Sequence, residues 1–261
     1  MLTEDPYAAL AEWYDLEHDG VTEDIHFIAQ QIASLGAPRA RVLEIGSGTG
    51  RIAAGLALAG YEVVGVEPSS AMRARCLERL AALPERVARR VTILDDDARL
   101  LALPPDAGFD AALFGLDTFA HLLTAAERDV ALRAAHGRMY EGGTLLIDLD
   151  PVGSRRLAES VGRDWLQGAW QDERTGRTLR HTLRATSVHD GVVTIHNNLE
   201  VTMPDGTHSQ ASADLRLALI ARGGVESTIH AAGFSQTTVY GDYEGREAIP
   251  DAPRLIFVAT R

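Results

Sequence analysis

The sequence predicts an α/β fold: a doubly wound, mostly parallel sheet of seven strands, with an antiparallel β-meander inserted before the last two. Three observations carry this. Between residues 41 and 150, short and nearly all-apolar runs alternate with helical patterns, as expected of parallel strands covered on both faces. The first of these runs, "RVLEIG", passes through "GSGTG" directly into a helical pattern, which is how a strand hands a ligand to a helix N-terminus. After Pro151 the segments become long and alternating and are joined at "HDG" and "PDG"; Asp-Gly between such runs marks hairpins.

The elements follow in order. Residues 1–36 read as a helical cover: "VTEDIHFIAQQIASL" places Ile25, Ile28, Ile32 and Leu35 at helical spacing, with Thr22 as N-cap and acids in the first turn. Residues 37–155 form the α/β core, with strands at "RVLEIG", "YEVVGVE", "VTILD", "FDAALFGL" and "GGTLLIDLD". Helices at "RIAAGLALAG", "SSAMRARCLERLAAL" and "TAAERDVALRAAHGRMY" connect them. Residues 156–220 carry the meander, and residues 221–261 a closing helix, "GVESTIHAAGF", and two closing strands, "QTTVYGD" and "RLIFVATR".

With 261 residues and 46% hydrophobic content the chain can bury a substantial core. Its formal charge of −12 argues against nucleic acid or an anionic membrane as partner, because phosphates want clustered Lys and Arg. The acidic start lacks the basic and apolar regions of a signal peptide, and no apolar run approaches the ~18 residues of a membrane helix, so a cytoplasmic protein is expected. Cys76 sits in a helical pattern without metal-ligand spacing; it reads as a packing thiol, and no metal is expected. A homo-oligomer is compatible with the sequence.

Gly46, Gly48 and Gly50 make a turn that a ligand approaches closely. A dinucleotide fingerprint, G-x-G-x-x-G, would want a third glycine where Arg51 stands. Glu44, just before the turn, suits a cation and opposes a pyrophosphate. S-adenosylmethionine (SAM) presents an ammonium and a sulfonium there, whereas NAD presents two phosphates. Glu67, ending the second strand, suits the two hydroxyls of a ribose in either ligand. The three acids of "LDDDAR" end the third strand at the same sheet edge, within reach of an adenine amine.

Taken together, "VLEIGSGTG", "GVEPSSAM", "DDDA" and the closing helix with its strand pair resemble the class I SAM-dependent methyltransferases, whose fold is Rossmann-like. That resemblance implies that Glu44, Gly46, Ser47, Gly48 and Gly50 hold the methionine part of SAM. It implies that Glu67 and Pro68 face the ribose, that Met72 packs on the adenine, and that Asp97 with Ala98 contacts its edge. "LDTFAHL" and the aromatic start "YAALAEWYDLEHDG" are similar to small-molecule N-methyltransferases of the amino-sugar and glycine type. On that resemblance Tyr14 and His121 flank the acceptor nitrogen and are the candidate catalytic residues, while Tyr7 or Trp13 closes the site. Asp117 and Asp150 compete to hold a protonated amine, and Arg155 with Arg156 could meet a phosphate. The implied partner is a small-molecule acceptor. An O-methyltransferase with His121 as base, a SAM-binding protein without catalysis, and an NAD-dependent oxidoreductase stand as alternatives.

Overall fold

A computed structural model describes residues 5–104 and 106–261. Two helices, α1 (Ala11–His18) and α2 (Glu23–Ala33), lead into β1 (Arg41–Ile45), α3 (Arg51–Ala59), β2 (Glu62–Val66), α4 (Ser70–Ala81), the short α5 (Glu85–Ala88) and β3 (Val91–Leu94). Then come β4 (Phe109–Phe114), α6 (Ala125–His136), β5 (Met139–Leu149) and α7 (Pro151–Glu159). The meander is β6 (Asp164–Gln171), β7 (Thr178–His189), β8 (Val192–Thr202) and β9 (His208–Ala218). The chain closes with α8 (Arg222–Ala231), β10 (Ser235–Tyr240) and β11 (Leu255–Thr260).

The main sheet has seven strands in the order β10-β11-β5-β4-β1-β2-β3. All neighbours pair in parallel except β11, which runs antiparallel to both β5 and β10. The order reverses between β1 and β4, so the carboxyl ends of these two strands flank the crevice where such sheets bind ligands. One apolar cluster, including Leu43, Phe114, Phe119 and Phe257, fills one face; another, including Phe27, Ile32, Leu56 and Cys76, fills the other. Both-sided cover explains why the strands read as unbroken apolar runs. The four strands β6–β9 form a separate antiparallel sheet in sequential order. Leu10 and Trp13 of the N-terminal segment pack onto its Leu179, Leu199 and Val201.

Cys76 is fully buried, and burial pushes its thiol up to about 12, so it packs and does not react. It lies directly beneath the glycine turn. Gly50 has φ +76°, and a Cβ built there would overlap Cys76 Sγ. Gly50→Ala therefore combines a left-handed penalty with overpacking, and urea unfolding should show a loss of about 2–4 kcal/mol.

Candidate active site

The glycine turn is held from below by Glu67. Its Oε2 accepts from Gly48 N and its Oε1 from Ser69 N, each at 2.8 Å. Gly46, Gly48 and Gly50 all take positive φ (72°, 55° and 76°). Gly46 passes so close to Thr118 that a Cβ would overlap its methyl group, which ties the turn after β1 to the turn after β4. Ser47 is buried and donates from Oγ to the Glu44 carbonyl at 3.3 Å. Glu44 lies at the base of this crevice with 2% exposure, and its Oε2 has no hydrogen-bond partner. Burial pushes its carboxyl up to about 8, against the opposing pull of Arg51. Arg51 is engaged elsewhere: it pairs with the fully buried Asp24 and donates to the Val21 carbonyl.

The remaining cofactor candidates are distributed around α4 and the end of β3. Pro68 is exposed at the turn before α4. Met72 is buried in the first turn of α4, and its N–H is capped by Ser69 Oγ at 3.1 Å. Ser69 Oγ in turn donates to Asp5 at 2.8 Å, so the N-terminal segment is latched to the start of α4. Asp97 is bound by Arg99: Nε reaches Oδ1 at 2.7 Å and Nη2 reaches Oδ2 at 2.5 Å. Burial opposes ionisation of Asp97, but these bonds prevail and hold it below the usual carboxylate range. Ala98 is half-buried against the main core. Asp96 bonds the backbone of Asp97 and Ala102, and Asp95 pairs with Arg73, so each acid of the run has its own partner.

Beyond β4 the chain turns sharply. Leu116 and Asp117 take φ of +39° and +63°, so the predicted strand "FDAALFGL" stops at Phe114 and the last two positions turn. Two consecutive left-handed residues that are not glycine are strained, which marks a site held in shape by its surroundings. A single 3₁₀ turn, Thr118–His121, then presents His121.

Tyr7, Tyr14, Glu17, Asp117, His121 and Asp150 line a cavity of about 220 Å³ roofed by α1 and walled by the meander. The Tyr7 hydroxyl meets His121 Nε2 at 3.0 Å. Burial pulls His121 down to about 4, so the imidazole is neutral at pH 7 and shares one hydrogen bond with the hydroxyl, whose direction follows the ring tautomer. Burial raises both tyrosines, with the Glu67 charge adding to the rise. Tyr14 stacks on His18 at 4.0 Å between ring centroids. Trp13, expected to close over the cofactor, also lines the cavity but is 8% exposed, with Arg177 lying over its ring. Burial pushes Asp117 up to about 6, against the pull of Arg254. Asp117 Oδ1 accepts from Asp150 N at 2.6 Å, and Asp150 Oδ1 caps α7 through Gly153 N at 2.7 Å. The two acids that competed for one role are thus bonded to each other.

Residues 43–145 match the family described as "Methyltransferase domain". Over that stretch the chain is similar to a methyltransferase domain. An uncharacterized methyltransferase of Geobacillus kaustophilus is 33% identical over 152 residues, a match spanning 54% of this chain and 64% of that protein's length. Among solved structures, the CcbJ methyltransferase from Streptomyces caelestis is 25% identical, with a TM-score of 0.74, covering 98% of this chain and 96% of that one. A SAM-bound amino pentose methyltransferase from Micromonospora echinaspora, involved in calicheamicin biosynthesis, is also 25% identical, with a TM-score of 0.71 and coverage of 95% and 94%.

The α/β core and the meander hold two clusters that sequence reasoning missed. Asp148 is 3% exposed and accepts from Tyr243 Oη at 2.7 Å and Arg254 Nε at 2.8 Å. Across the cavity, Glu17 on α1 meets His181 Nδ1 at 2.8 Å, and His181 Nε2 meets Asn197 Oδ1 at 3.1 Å. The alternation of β7 and β8 signals that residues 181 and 197 share a face, but nothing local pairs them with Glu17.

Proposed function

We propose that this chain is a methyltransferase that uses SAM to methylate an amine on a small molecule. The observation that carries this reading is the cavity itself: two tyrosines, a neutral histidine and the carboxylates of Asp117 and Glu17 line one space, and the turn that bears Asp117 and His121 touches the glycine turn through Thr118. The crevice fits SAM. Glu44 Oε2 is a buried acceptor without a partner, as an ammonium would require, and the glycine backbone leaves room for close approach. Glu67 keeps free lone pairs on both oxygens for a ribose beside its two backbone bonds. When bound, SAM supplies a methyl group already activated by the sulfonium.

The chain's own residues then position the acceptor and manage its proton. An amine enters from water as an ammonium and must lose a proton before its nitrogen can form the new bond. Asp117, ionised above about 6, holds the ammonium and takes that proton. His121, neutral down to about 4, fixes the Tyr7 hydroxyl, and the aromatic cover from α1 excludes water. On this reading the base is Asp117, and His121 with Tyr14 orients the acceptor.

Incubation with methyl-labelled SAM and a panel of small amines, amino sugars and phenols tests the reaction. Label on an amine supports it; label on phenols alone, or none despite SAM binding, overturns it. For a methylated amine, kcat should rise with pH through about 6 and then level. Asp117→Asn should remove that limb and lower kcat by about 100-fold or more, while His121→Gln should cost less than about ten-fold.

A further inference from the structure

A second cavity, of about 670 Å³, adjoins the first and shares Asp117, Asp150 and Ser154 with it. It lies between α7, the β9–α8 connection and the segment before β11. Its walls are mainly aliphatic: Leu149, Ala158, Leu219, Ile220, Ile249 and Leu255. The inner cavity, at about 220 Å³, has room for little more than one six-membered ring, given that a cavity of roughly 150 Å³ takes a benzene. The rest of a larger acceptor would have to lie in the outer cavity.

The charges at the outer cavity bear on what that part is. Its cations, Arg155 and Arg222, are the obvious candidates to bind a phosphate. Arg155 is paired with Asp251 at 2.5 Å, and Arg222 with Glu226 at 3.0 Å as well as the Ala248 carbonyl at 3.2 Å. Asp117, Asp150, Glu159 and Asp251 line the same space and would repel an anion. A diphosphate would meet more negative charge than free positive charge there. An apolar group would gain from the aliphatic walls.

Resting on the amine reading above, we propose that the outer cavity binds an apolar body carried by the acceptor, so that the substrate is a hydrophobic amine rather than an amine attached to a nucleoside diphosphate. The amine head lies at Asp117 and the apolar body passes Asp150 and Ser154 into the aliphatic chamber.

Calorimetric titration of the full chain, saturated with S-adenosylhomocysteine, against butyl-, hexyl- and octylamine tests this, with the matching alcohols and thymidine diphosphate as comparison probes. Affinity should rise by about three- to four-fold per methylene in both series, and thymidine diphosphate should not compete with octylamine. Ala158→Phe, which fills the chamber, should flatten that rise to less than about two-fold per methylene while leaving butylamine binding unchanged. Ile249→Glu, at a position 69% exposed and so without a core to disturb, should do the same. A flat series in the unaltered protein overturns the proposal, as does competition by thymidine diphosphate that Arg155→Ala abolishes. Chain-length gain among the alcohols, with no amine binding better than its alcohol, would keep the apolar chamber and overturn the amine reading instead.

Discussion

Glu44→Gln should weaken binding of SAM and of S-adenosylhomocysteine by about 10- to 100-fold and abolish a proton release that accompanies binding to the unaltered protein. The argument starts from the ligand-free carboxyl. Burial in the crevice raises it to about 8, so at pH 7 it is largely protonated, and one of its oxygens has no partner. An ammonium placed against it stabilises the charged form, so the proton leaves as the ligand enters. Calorimetry at pH 7 in buffers of different ionisation heat should therefore show close to one proton released, and none for Glu44→Gln. The affinity loss follows from a charge-assisted bond becoming neutral, about 1.5–3 kcal/mol. The same group sets a stability trend. Because its folded value is raised, its contribution is fully present below about 4.5 and is lost as pH rises through about 8. Ligand-free Glu44→Gln should lack that component of the decline. Equal proton release from both proteins would put the ligand's ammonium somewhere other than Glu44.

The parallel core was legible because burial on both faces leaves apolar runs with little else to say, and the glycine turn because its three positive-φ positions admit few other residues. What escaped shows where sequence reasoning runs out. The strand β6 has no alternating burial: most of its residues are exposed, and its pairing with β7 shifts register between Leu166 and Gly168. The helix α7 is short and carries Gly153 in its first turn, yet Asp150 before Pro151 is a capping signal that could have announced it. The acids after β3 were read by position alone, whereas Asp97 is bound by an arginine only two residues on. Pairings such as Asp148 with Arg254 or Glu17 with His181 join residues more than a hundred positions apart. No local pattern encodes them; only the closed sheet and the docked meander bring them together.

Asp24→Asn should cost about 3–5 kcal/mol of stability in urea unfolding, more than any surface charge in the molecule. Arg51 opens α3 immediately after the glycine turn, and Asp24 lies in the first turn of α2; their side chains are 7% and 0% exposed. Replacing the carboxylate with an amide leaves the guanidinium without a countercharge in the interior, with only neutral acceptors, the amide oxygen and the Val21 carbonyl, among the described bonds. Replacing both partners by apolar residues, Asp24→Leu with Arg51→Met, should recover much of the loss, because the cost lies in the unpaired charge rather than in the missing pair. A second effect separates this pair from simple packing. The Arg51 charge already lowers the Glu44 carboxyl, so an Arg51 freed from Asp24 has an unpartnered oxygen to turn toward. Asp24→Asn should then weaken SAM binding at a temperature where the protein remains folded, and the double replacement should restore part of it. Loss of stability with unchanged affinity would confine the pair to holding α2 on α3. Loss of both would mean that Asp24, on a helix outside the sheet, keeps Arg51 away from Glu44 so that the crevice stays open to a cation.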